Sequence, residues 1–317
     1  MDVFNALVLF VIGFFILIKG AQIMVHGAVV VANIFKVSTW FIGVVIVSIG
    51  TSIPELSINL ASVFSGNDVG MATVLGSNIF NVLFILGVMA VFTPIVMHRS
   101  WILRDLPIFI AITALTGLLV LFPVLGDPYF NGITTMEALL MVGVFVIWLL
   151  SMFHRGRDEE EAPDFEAVTI FTAFLMVVGG IIGVFFGGNW VVDGSVVIAK
   201  LLGVSPAVIG FTVVALGTSL PELVVSIVAL SKKTLGIAVG NIVGSSIFNF
   251  LGVLGITGLI RPIPVLEPLV FDVSFVLLTA VVWLFLMFVG KKYTLSRPEG
   301  VLFLLLYGVF VFSLFVQ

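Results

Sequence analysis

Charged and polar residues in this chain cluster into short stretches that separate long apolar runs. The runs lie near residues 3–33, 39–65, 69–92, 101–123, 132–153, 167–199, 205–231, 235–260, 269–290 and 299–316. A helix crosses the hydrocarbon core of a bilayer with about 20 mostly apolar residues. The pattern therefore predicts an all-α polytopic membrane protein with ten transmembrane helices. The first and sixth runs exceed one crossing and are expected to tilt strongly. The first has neither a positive leader nor an evident cleavage site, so it reads as part of the mature protein rather than as a signal peptide.

The first run also has a counterpart in mid-chain. A shift of 167 residues lays Gly13, Gly20, Gly27, Gly43 and Gly50 on Gly180, Gly187, Gly194, Gly210 and Gly217. The same shift lays Thr51-Ser52-Ile53-Pro54-Glu55 on Thr218-Ser219-Leu220-Pro221-Glu222. One inserted residue later, Gly76-Ser77, Asn81, Gly87 and Pro94 fall on Gly244-Ser245, Asn249, Gly255 and Pro262. The chain thus divides into a first half, 1–153, a short loop, 154–166, and a second half, 167–317. Alternate loops hold Lys36, then Arg99 and Arg104, then Arg155 and Arg157, then Lys232 and Lys233, then Lys291, Lys292 and Arg297; the other loops hold only Lys200 and Arg261. The positive-inside rule makes the first set cytoplasmic and turns both termini outward. With five spans per half, the two repeats cross the membrane in opposite directions. Inverted repeats of this kind mark secondary transporters, whose substrate sites lie near the midplane.

Composition agrees with a membrane protein: 61% apolar and 9% charged residues, against about 45–50% and 25% in soluble domains. The formal net charge of −4 lies mostly in loops and says little about partners. No basic stripe suggests nucleic acid, and no protein partner is implied. Cysteine is absent, which excludes disulfides and thiolate chemistry.

The chemistry concentrates at two acids in the middle of apolar runs, Glu55 and Glu222, each preceded by Gly-Thr-Ser and a proline. Ionisable residues at membrane depth usually face a cavity or the bundle interior. Pro54 and Pro221 should break their helices, freeing backbone carbonyls. Ser77 and Asn81, with their counterparts Ser245 and Asn249, are four residues apart and share a helix face. The pooled donors are oxygens, which suit Ca²⁺ and, in smaller groups, Na⁺. Two carboxylates would balance one Ca²⁺, while three Na⁺ would leave one positive charge. His and Cys ligands for a transition metal are missing from these stretches, and no cofactor is implied beyond the transported ions.

GTSIPE with GSNIFN, and GTSLPE with GNIVGSSIFN, resemble the α-repeats of the cation/calcium exchanger superfamily, and most closely those of prokaryotic Na⁺/Ca²⁺ exchangers. The resemblance covers nearly the whole chain. It implies ten helices, with broken helices two and seven beside three and eight, and helices one and six sliding to alternate access. It further implies that Glu55 and Glu222 hold Ca²⁺, assisted by backbone oxygens of Thr51 and Thr218. Ser52, Ser77, Ser219 and Ser245, with carbonyls near Ser48 and Ala215, would build flanking Na⁺ sites. Potassium-dependent relatives carry Asp where Asn249 stands, so Asn81 and Asn249 resemble the potassium-independent type. Proton-coupled relatives share much of the motif, which leaves H⁺ open as counter-ion. The short central loop implies a minimal, prokaryotic version.

Other readings remain open at this stage. The Ser and Asn pairs could serve only to join helices, and Lys19 could either snorkel or influence the cation path. His26 has no assigned role, and Asp158-Glu159-Glu160-Glu161 reads as a solvated loop. Glycines of the two halves are expected at close helix contacts. A Ca²⁺ channel is a weaker alternative, and an enzyme is disfavoured because no base lies beside the serines.

Overall fold

The computed structural model describes residues 3–66, 69–122, 124–126, 129–155, 168–202, 217–265 and 269–314. These form α1 (Val3–Phe35), α2 (Thr39–Thr51), α3 (Ile53–Ser65), α4 (Val69–Phe92), α5 (Trp101–Leu121), α6 (Thr135–Arg155), α7 (Ile170–Leu201), α8 (Leu220–Ser231), α9 (Leu235–Ile260), α10 (Val270–Leu286) and α11 (Arg297–Ser313). Six of these helices are long and apolar enough to cross a membrane, or seven when the bent pair α2–α3 counts as one. The described residues separate into two compact units, each drawn from both halves of the sequence: 1–54 with 151–245, and 55–150 with 246–317.

The first unit is built on an antiparallel pair, α1 and α7, whose seam is glycine. Gly13 faces Gly187 and Val191, Gly20 faces Gly180 and Val184, and Gly27 faces Ala173 and Val177. A Cβ at Gly187 would stand 2.5 Å from the Leu17 nitrogen, so these backbones meet only because side chains are missing. The start of α9 repeats the device against α2. There Gly236, Gly240 and Gly244 meet Thr39, Trp40 and Val44 in parallel order. Gly43, Gly50 and Gly217 also make close contacts, whereas Gly76 has no described atom within 4 Å of a built Cβ.

In the second unit, short linkers pair across the sequence. β1 (Ile95–Val96) runs antiparallel to β4 (Thr294–Leu295), and β2 (Gly132–Ile133) to β3 (Ile263–Pro264). Repeat-equivalent glycines follow the same exchange: Gly87 on α4 packs against Gly300 and Leu304 of α11, while Gly255 on α9 packs against Ala138 and Val142 of α6. Capping boxes open both partner helices. Glu137 accepts the Thr134 N–H at 2.9 Å, and Glu299 accepts the Ser296 N–H at 3.0 Å. Glu137 also takes the amides of Val124 and Leu125, so one buried carboxylate orders the linker before α6.

Candidate functional site

In the first motif the helix breaks two residues before the proline. Ser52 leaves the helix at φ −89°, ψ 13°, and Ser219, at φ −93°, ψ 6°, is the residue that precedes α8. Proline lacks an N–H, which the first helical turn does not need, so Pro54 and Pro221 start α3 and α8 instead of interrupting them. For the first motif this corrects the expectation of a break at the proline itself. Glu55 and Glu222 consequently sit in first turns, where exposed amides and the helix dipole favour negative charge.

In the first unit Glu222 is almost fully buried, at 1% exposure. Ser52 donates to its Oε1 at 3.0 Å and Ser245 to the same atom at 3.4 Å. Ser245 also reaches the Ser48 carbonyl at 3.3 Å, and Thr51 donates to that carbonyl at 3.2 Å. Thr218 and Ser219 are buried just before α8. Six expected residues, Ser48, Thr51, Ser52, Thr218, Ser219 and Ser245, are thus found in the unit that holds Glu222. Ala215 lies outside the described residues.

In the second unit Glu55 is fully buried, and Ser77 donates to its Oε1 at 3.2 Å. Asn59 donates to the Glu55 backbone carbonyl at 3.0 Å. Asn81 and Asn249 are fully buried on matching π-helical turns, Phe80–Ile85 and Phe248–Val253. Wide turns of this sort recur at functional sites. Asn249 donates to Asn78 at 3.4 Å, and Asn78 to the Ser246 carbonyl at 3.3 Å. Neither polar atom of the Asn81 amide has a hydrogen-bond partner among the described residues. A buried amide without a partner is costly, which suits a residue that receives something from outside the chain.

Sequence reasoning passed over Asn59, Asn78, Ser226, Asn241 and Ser246. Across the repeat these are unlike pairs, Asn59 with Ser226, Thr73 with Asn241, and Asn78 with Ser246. Polar but unequal pairs were the available signal. Lys19 is exposed, with its ammonium 5.9 Å from the Phe15 ring centre. Asp158 to Glu161 lie outside the described residues.

The donor sets are hard oxygens: a carboxylate with hydroxyls in each unit, and amides on the π turns of the second. The family model described as sodium/calcium exchanger protein matches residues 5–154 and 172–316. The chain belongs to the sodium/calcium exchanger family. The exchanger is 30% identical to the sodium/calcium exchanger MaX1 of Methanosarcina acetivorans, over 98% of each chain. It is 31% identical to the inner membrane protein YrbG of Escherichia coli, over 88% of this chain and 87% of that one. Its fold matches a solved structure of the sodium-calcium exchanger NCX_Mj soaked with zero Na⁺ and Ca²⁺. That match has a TM-score of 0.84 and 28% identity, and covers 99% of this chain and 100% of the other. The exchanger is accordingly an integral membrane protein from a family of antiporters, ion carriers rather than enzymes.

Proposed function

We propose that this protein exchanges Na⁺ for Ca²⁺ by alternating access, with Glu55 and Glu222 as the Ca²⁺-binding carboxylates. One observation carries the reading: Glu222, buried at a helix start, has the hydroxyls of Ser52 and Ser245 directed at one carboxylate oxygen. The equivalent Glu55 has Ser77 on its own Oε1. Backbone oxygens of Thr51 and Thr218 assist with Ca²⁺. Ser52, Ser77, Ser219 and Ser245, with carbonyls near Ser48 and Ala215, serve Na⁺, and Asn81 and Asn249 add neutral oxygens. When no ion is bound, uncompensated buried carboxylates make the change of access unfavourable, which makes exchange obligatory.

The architecture that goes with this reading is ten spans in two inverted five-helix repeats, in a prokaryotic cytoplasmic membrane with both termini outside. The exchange of equivalent strands, β1 with β4 and β3 with β2, supports the repeat, as does the antiparallel course of α1 and α7.

The test is Ca²⁺ uptake into proteoliposomes under an outward Na⁺ gradient, an outward H⁺ gradient or neither, with and without K⁺. Uptake driven by Na⁺ without K⁺, and abolished by Glu55→Gln or Glu222→Gln, is expected. Uptake driven only by protons overturns the choice of counter-ion. Normal flux in either variant overturns the site.

A further inference from the structure

We propose that Asn241 is a positioning residue of the exchange site: its amide ties the end of α2 and the start of α8 to α9 and fixes the direction of the Thr51 hydroxyl. The inference rests on the reading that Glu222 binds the transported cation.

Asn241 is fully buried, one turn before Ser245 and so on the same face of α9. Its Nδ2 donates to the Glu222 backbone carbonyl at 3.3 Å and to the Ser226 hydroxyl at 3.1 Å, and its Oδ1 accepts from Thr51 at 3.0 Å. The chemistry permits only this orientation. A backbone carbonyl can only accept, so the NH₂ must face α8 and the oxygen must face Thr51. An amide oxygen also only accepts, so the single Thr51 hydroxyl proton is drawn to it. The competing acceptor, the Ser48 carbonyl, is farther away at 3.2 Å. With its proton directed there, Thr51 Oγ1 presents lone pairs toward Ser245 Oγ at 3.3 Å. Ser245 in turn reaches Glu222 Oε1. The single Ser245 proton serves either Thr51 or Glu222, whereas Asn241 itself meets both motif segments, and one turn of α9 holds them.

The other half is built differently. Thr73 stands at the equivalent position and spends its hydroxyl on the Val69 carbonyl of its own helix. The Glu55 carbonyl is served instead by Asn59 from within α3. Among the described bonds, the amide that reaches the glutamate's backbone carbonyl thus comes from a neighbouring helix for Glu222 and from within α3 for Glu55. A neutral amide provides this bracing without adding a second negative charge beside Glu222.

The test uses Na⁺-driven Ca²⁺ uptake by the full-length protein in proteoliposomes, comparing Asn241→Leu, Thr51→Val and the double variant. Thr51→Val should raise half-saturating Ca²⁺ about tenfold, the effect of losing one buried hydrogen bond. Asn241→Leu, which also strips the bonds to the Glu222 carbonyl and Ser226, should raise it at least as much, and both should change the maximal rate less. The double variant should be no worse than the larger single effect, because both remove the same bond. Thr51→Ser, which keeps the hydroxyl, should restore wild-type values. Where Asn241→Leu cannot be recovered as a monodisperse protein, Asn241→Ser, too short to span both helices, should show the same rise. Wild-type half-saturation in the Asn241 variants, or effects that multiply in the double, would overturn the inference provided Glu222→Gln abolishes uptake. Uptake retained in Glu222→Gln would instead overturn the site reading on which it rests.

Discussion

Gly179 and Gly180 are neighbours on α7 with opposite surroundings, and the contrast tests how closely α1 and α7 approach. A Cβ on Gly180 would lie 2.5 Å from Met24 Cβ and 2.7 Å from the Met24 Cα and nitrogen; one on Gly179 meets no described atom within 4 Å. Non-bonded carbons rest at about 3.5–4.0 Å, so Gly180→Ala must push the helices about 1 Å apart over this turn. Both substitutions gain the same helix preference, about 1 kcal/mol over glycine. Their difference therefore isolates overpacking, worth about 1–3 kcal/mol. SDS titration of detergent-solubilised protein, followed by tryptophan fluorescence, would measure it. Gly180→Ala should unfold at a lower SDS fraction than Gly179→Ala by that margin. If the two variants agree within about 0.5 kcal/mol, which is within the ordinary scatter of surface substitutions, the glycine seam is not the close contact described.

Three further outcomes are expected. Ca²⁺ at about 100 times its Kd should protect the protein in the same titration by about 2.7 kcal/mol relative to chelator; equal protection of Glu222→Gln would remove that carboxylate from the site. Glu137→Ala takes an acceptor from the Val124, Leu125 and Thr134 amides, a local loss of about 1–3 kcal/mol. Faster hydrogen exchange at those amides checks it, and unchanged exchange contradicts it. Lys232, which donates to the Gln22 carbonyl at 2.9 Å, has its ammonium held below the usual lysine pKa by burial. The unfolded chain then binds more protons in the window just below lysine's ordinary pKa, so stability rises with pH there. Wild type should gain on Lys232→Met as pH climbs through that window, and a constant difference would refute the linkage.

The apolar runs at 69–92 and 235–260 coincide with α4 and α9, because a long apolar stretch bounded by polar residues leaves a helix little freedom in its ends. The motif acids and their serine partners were legible for a related reason: the sequence displays each of these candidate residues twice. Where the halves differ, that signal disappears, and Asn241 is hidden behind Thr73. The wide turns at Asn81 and Asn249 also escaped the sequence. A π turn keeps the same residues in the same order and changes only which carbonyl each amide reaches. The break at Ser52 instead of Pro54 follows from helix-start chemistry that motif reading had not applied. Two-residue strands such as β1 carry no periodicity, so their partners could not be assigned in advance.

Those strands have a consequence for biosynthesis. Ile95 and Val96 leave the ribosome roughly 200 residues before Thr294 and Leu295, the segment they pair with. At about 5–20 residues per second, the wait is roughly 10–40 s. Through that interval Gly87 also lacks Gly300, its packing partner on the last helix. A nascent chain halted before α11 would hold both surfaces open in the bilayer. The early helices are therefore released as an unfinished template, and the last-synthesised helix completes a unit that begins at Glu55.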